Sequence, residues 1–146
     1  MIPAHPLWMN RRRGRTVAAA RAEIPYRLAI ADGYARVARA EWESDRSASR
    51  TIAAGNAVLS AIAAADVICM SALGMRSASS NHSDAVALVG QVDLQASKDL
   101  AILIGDKSQS HYGATEIDRG TLVRMLRSME RLLHTARSSS ARAGLQ

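Results

Sequence analysis

The chain has two lysines, and one of them, Lys107, lies in the segment GDKSQSHYG (105–113). The same segment holds one of four histidines, His111, and one of three tyrosines, Tyr112. A lysine ammonium is a compact positive charge, and imidazole is the side chain that exchanges protons near neutral pH. Close together, the two have a defined chemistry: the cation disfavours the imidazolium, so His111 stays neutral and serves as a base near pH 7. The competing expectation is that Lys107 pairs with a carboxylate and His111 packs at an interface. The segment follows the apolar run LAILI. Helix continuing through Gly105 puts Leu100, Ile104, Lys107 and His111 at steps of four, three and four, on one face. The polar pair then prolongs an apolar stripe, at the rim of a bundle or at a subunit interface, with Gly113 the expected C-cap.

Asp66 is the second residue of interest. It sits in an alanine-rich stretch among Ile62, Val67 and Met70, and a buried carboxylate needs a partner. Lys107 or His111 would bring it to the site; an N–H or hydroxyl partner would make its role structural. Asn56 reads as a helix-packing polar residue. His82 has Asp84 two positions on, but two groups do not make a metal site, and no His/Cys/Asp/Glu set has ligand spacing. His5 lies in a leading arm, and His134 in the last turns of a helix, where a cation meets the negative end of the dipole. The serine-rich stretches RSASS and RSSS offer no base at suitable spacing, and no glycine-rich phosphate loop occurs. No metal and no cofactor are expected.

The elements that must position these residues are helical. Alanine dominates the hydrophobic fraction of 48%, Phe is absent and aromatics make up 3%. Such a core suits close helix-on-helix packing better than strands. A length of 146 residues fits one domain. Its parts are expected to be a flexible basic arm at 1–16, a helical bundle at 17–137 and a disordered tail at 138–146. The first helix is expected over 25–43, with 17–23 as a turn or short extra helix. SDRSAS follows as a linker, with Ser47 or Ser49 the best N-caps. The second helix, 50–73, is apolar nearly all round, should be central, and ends at Gly74. The third starts near Asp84, capped by Asn81 or Ser83, with a bend at 90–94. The fourth starts near Asp118, and Leu122, Met125, Leu126, Met129, Leu132, Leu133 and Ala136 keep one stripe. These four helices with short loops predict an all-α, up-and-down bundle, with no convincing strand pair.

The net charge of +6 is uneven. Residues 1–16 carry four arginines and no acid, 17–75 balance, 76–117 carry three basic and five acidic residues, and 118–146 carry six arginines against two acids. Basic segments attract phosphates, but no interleaved aromatics suggest base stacking. The lone Cys69, in ADVICMSAL, reads as a buried, inert thiol that suits a reducing cytoplasm. RRRGR is followed by charges that interrupt any export-signal core, and no window approaches a membrane span; TIAAGNAVLSAIAAADVICMSALGM comes closest and reads as a buried helix. No membrane partner is expected.

Four pieces in order carry a family resemblance: AIAAADVICMSALGMRS, NHSDAVAL, LAILIGDKSQSHYG and LVRMLRSMERLLHTA. Over about residues 53–136 the chain resembles the HEPN superfamily of helical bundles, found in prokaryotic toxins and phage-defence proteins, and most resembles a small actinobacterial branch of it. The resemblance implies a metal-independent endoribonuclease. In such proteins an Arg is followed, after four to six residues, by a His, and two protomers bring their pairs into one cleft. There the cation holds the phosphate and His acts on the 2′-hydroxyl or the leaving oxygen. Lys107 and His111 are the match, with lysine for arginine and three residues between; a bidentate fork is thereby lost. In one toxin subgroup a Tyr two places after the His is adenylylated by a partner nucleotidyltransferase; Tyr112 is adjacent to His111 instead. The implied partners are a second copy, RNA, and an antitoxin or nucleotidyltransferase. Arg119, Arg124, Arg127 and Arg131 are then the approach for RNA, with Asp66 and Tyr112 supporting the site. The alternative is a catalytically degenerate bundle that serves protein interaction or dimerisation, with those arginines as ordinary surface.

Overall fold

The computed structural model describes residues 14–112 and 116–144, and for residues 107–112 the helical backbone. Two short strands and five helices follow in order: β1 Thr16–Ala18, α1 Glu23–Ser44, α2 Ser47–Leu73, β2 Met75–Ser77, α3 His82–Gly90, α4 Leu94–Tyr112 and α5 Arg119–Arg142. The fold is therefore all-α in character with one small sheet.

Alanine sets the central packing. Ala31, Ala35 and Ala38 of α1 and Ala53, Ala57, Ala61 and Ala64 of α2 are fully buried. Side chains this small allow two helices to approach closely, and each loses almost no rotamer entropy on burial. The α1–α2 pair is antiparallel, pinned where Arg27 meets Asp66 and where the Ser60 hydroxyl donates to the Ala31 carbonyl at 2.8 Å. Larger residues complete the core from α4 and α5: Leu100, Leu103, Leu122, Met125, Met129, Leu132 and Leu133. α2 touches α1, α3, α4 and α5, which accounts for its apolar circumference. By length and composition α2 could cross a membrane, contrary to the expectation that no window would, but most of it is buried in the bundle.

Three helix ends follow local rules read from the residues. Gly74 closes α2 with φ of 68° and its N–H on the Met70 carbonyl, a left-handed position that costs glycine nothing. The Asn81 side chain accepts from the Ser83 N–H to open α3, and Asp118 accepts from the Thr121 N–H to open α5. That bond holds the Asp118 carboxyl below its ordinary value. The bend expected at 90–94 is a full break, where Asp93 accepts from the Ala96 N–H at 2.9 Å and starts α4. The start of α2 differs from expectation. Its first residue is Ser47, its N-cap is Arg46, and no side chain caps it.

Three further expectations are corrected. A strand pair exists: β1 and β2 are antiparallel, with Val17 opposite Arg76. Ala78 N–H to the Arg15 carbonyl and Ala19 N–H to the Gly74 carbonyl extend the ladder at both ends. Residues 17–22 are thus strand and turn rather than an extra helix, Glu23 already opens α1, and the end of the basic arm is strand. Gly14 precedes the strand at φ of 67°, with the Asp84 side chain where a Cβ would stand. The last helix also does not fray at 137. It runs to Arg142 because Ser139 and Ser140 are buried, and Arg21 reaches the Ala143 carbonyl. The arm at 1–13 and the expected C-cap Gly113 lie outside the described residues.

Candidate functional site

The helix does continue through Gly105, and its backbone is α-helical to Tyr112. Lys107, His111 and Tyr112 therefore share the last turns of α4; their side chains lie outside the described residues. Ion pairs fix where those turns sit. Arg124 grips Asp106 in bidentate fashion at 2.9 and 3.1 Å, Arg119 meets Asp45 at 2.7 Å, and Arg50 approaches Glu116 at 3.7 Å. The end of α4 is at the end of the bundle where α1 stops and α2 and α5 start.

Asp66 is at the other end. Arg27 donates to its Oδ2 from Nη2 at 2.6 Å and from Nε at 3.0 Å. Sixteen residues of α2 separate Asp66 from Arg50, roughly 24 Å of helix. The partner of Asp66 is thus Arg27 of α1, not Lys107 or His111, because the antiparallel hairpin sets those ends apart. Burial pushes the Asp66 carboxyl above its usual value of 3.8, and the charges of Arg27 and Arg76 oppose that push. Burial, reinforced by the Asp66 charge, takes the nearby Cys69 thiol up to about 12, so it is protonated and inert. A carboxyl raised in the folded state contributes stability that is present below its unfolded value and lost as pH rises through the folded one. Urea titrations of Asp66→Asn and wild type across that range are expected to show the variant gaining on the wild type as pH rises from below 3.8. Curves that stay parallel would remove burial as the dominant influence on Asp66.

Three of the four arginines expected to face RNA are engaged with carboxylates. Arg119 pairs with Asp45 and lies over the Trp42 ring, 4.4 Å from its centroid. Arg124 pairs with Asp106. Arg131 pairs with Asp99, whose side chain is 2% exposed, through Nη2 at 2.7 Å and Nε at 3.1 Å. Arg127 has no carboxylate partner among the described residues. These bonds raise the guanidinium values of Arg124 and Arg131. The helix carries cations, but most of its positive charge is already neutralised by α1 and α4.

The spacing of an Arg followed, after four to six residues, by a His occurs at Arg76–His82 and at Arg127–His134. The first spans β2 and the start of α3. The second lies on one helix, seven residues apart, which is about 10 Å along the axis and nearly in line. Both its members are exposed. Counting intervening residues for every histidine would have found it.

Two surface features complete the picture. A groove of about 370 Å³ runs beside α5, lined by Trp42, Val123, Leu126, Arg127, Glu130 and Arg131. On the opposite flank of α1, apolar residues face outward: Tyr26 is 72% exposed and Val37 43%, while Ile52 and Leu59 of α2 are 46% and 41% exposed. Ile30, Tyr34 and Ile62 are half-buried. Helical spacing puts all seven on the one flank that α1 and α2 share. No group of three or more His, Cys, Asp or Glu residues that could hold a metal ion occurs among the described residues. No protein-family model matches the chain, and neither does any curated protein or solved structure.

Proposed function

We propose that this chain is an HEPN-like helical bundle that works by association, two copies meeting through the shared flank of α1 and α2, without catalysis of its own. The observation that carries the reading is the clustering of exposed apolar side chains. Among the described residues seven large hydrophobic side chains are exposed, and four of them, Tyr26, Val37, Ile52 and Leu59, belong to this flank. Contiguous apolar surface of this kind marks interaction sites on soluble proteins. Within the flank Arg27 and Asp66 satisfy one another, and the remaining acids of the same stripe, Glu23 and Glu41, lie at its two ends. A two-helix face about a dozen residues long is roughly 18 Å by 20 Å. Two such faces cover roughly 700 Å² in projection, at the low end of interface sizes, so the expected dimer is a weak one. A second copy offers the same apolar face, as a two-fold interface requires.

Sedimentation velocity over a concentration series tests this. The wild type is expected to dimerise, and Leu59→Glu to be monomeric at least tenfold higher in concentration, with unchanged helical circular dichroism. A wild type that is monomeric throughout, or a dimer indifferent to Leu59→Glu, sinks the reading.

A second reading is favoured by one specific observation, the exposed Arg127–His134 pair on a single helix. In it the bundle associates with RNA and cleaves it without metal, as the HEPN resemblance implies. An RNA pool incubated in EDTA with wild type, His134→Ala and His111→Ala separates the possibilities. Loss of cleavage in one variant alone identifies the histidine that works. No cleavage by the wild type leaves the association reading as the only one of the two.

A further inference from the structure

We infer that the groove between Trp42 and α5 binds a small organic carboxylate with a flat or branched apolar body. The argument begins with what the groove offers. It is lined by the apolar Trp42, Val123 and Leu126 and by the charged Arg127, Glu130 and Arg131. A volume of about 370 Å³ falls at the small end of ligand sites, which run from roughly 300 to 1,000 Å³.

The charges around it are not equivalent. Glu130 is held by both nitrogens of the Arg39 fork, at 2.6 and 2.9 Å. Arg131 is committed to the buried carboxylate of Asp99. Arg119 is committed to Asp45 and to one side of the Trp42 ring. Arg127 is the cation at the groove with no carboxylate partner among the described residues. One planar fork beside an apolar slot matches one planar carboxylate, which accepts two parallel N–H bonds. A phosphate dianion would want a second spare cation, and the neighbouring arginines are taken. A neutral apolar molecule would leave the fork unused. The ligand is therefore a monoanion whose body lies against the indole, Val123 and Leu126.

The full chain, 15N-labelled, is titrated with 3-phenylpropionate and with the neutral 3-phenylpropanamide at the same pH, the Trp42 indole signal being assigned against Trp8→Phe. The carboxylate is expected to shift the Trp42 indole N–H and the backbone amides of residues 123–131, with weak affinity suited to so few atoms. The amide is expected to bind about tenfold more weakly, which is the order of a charge-assisted pair over a neutral one. Arg127→Gln is expected to bring the carboxylate down to the affinity of the amide, while Arg36→Gln leaves it unchanged. Val123→Trp, which fills the slot from an incompletely buried position, is expected to abolish both. Equal binding of acid and amide, indifference to Arg127→Gln, or shifts that map elsewhere would each overturn the inference. Because Arg127 has no carboxylate partner among the described residues, its substitution orphans no described carboxylate. Neither the dimer flank nor the RNA reading enters this test.

Discussion

Arg131→Ala lowers the unfolding free energy by about 2–3 kcal/mol, read as a fall in the urea midpoint at unchanged slope. Asp99 is the reason. Its side chain is 2% exposed, and Arg131 supplies its principal hydrogen bonds. The other donor among the described residues is the Gln95 amide, at 3.5 Å. Removing the guanidinium leaves a carboxylate in the core with almost nothing to compensate it, a loss of 3–5 kcal/mol for a fully buried pair. The figure is discounted here because the Arg131 side chain is 51% exposed, so water can enter and solvate the orphan. The double substitution Asp99→Leu with Arg131→Met is expected to recover most of the loss, since no charge then needs a partner. A single variant that is as stable as the wild type would mean that Asp99 finds water in the folded state.

Ala35→Leu is expected to cost about 3 kcal/mol, the upper end for overpacking. The two pins of the α1–α2 hairpin, Arg27 on Asp66 and Ser60 on the Ala31 carbonyl, bring Ala35 level with Ala57. Both are fully buried, so three extra heavy atoms have nowhere to go without moving a helix. The same substitution on an exposed face would be harmless or slightly favourable, because leucine is a good helix former. A thermal melt alongside Ala40→Leu, which is exposed on the same helix, makes that comparison directly. Equal melting temperatures would show that the hairpin opens easily.

These two sites bear on how much the residues disclosed in advance. Local rules account for the buried stripe of α5 and for three of the helix ends, though not for the start of α2 or the end of α5. The stripe from Leu122 to Ala136 is the buried face of α5, and Gly74, Asn81 and Asp118 sit at the ends where their chemistry puts them. What stayed hidden depends on pairing across the chain. TVA and MRS are too short to show alternation, and become strands because α1 and α2 bring them together. Asp66 has its partner 39 positions away, and no local pattern announces it. The arginines of α5 are instructive because the clue was present. Residues 76–117 carry excess acid and 118–146 excess base. Antiparallel neighbours with opposite charge were apt to neutralise each other, as Asp99 and Asp106 do for Arg131 and Arg124. Lys107 and His111 were correctly put on one continuous helix, and their role rests on the assays above.

The strand pair has a consequence for how the chain is made. On the ribosome, β1 emerges first and must wait for β2, whose residues lie 59 positions later, from Thr16 to Met75. Synthesis at about 5–20 residues per second makes that wait several seconds, while helices form in about a microsecond. The α1–α2 hairpin therefore has ample time to form before its latch can fasten. Closing so long a loop from an unstructured chain carries an entropy cost that grows with the logarithm of its length. A preformed hairpin holds the two ends near one another and removes most of that cost. The two strands are thus the last contact of this region to be made during biosynthesis and, with only three residues each, the first to open afterwards. Their amide protons should accordingly exchange with solvent well before those of the alanine seam they enclose.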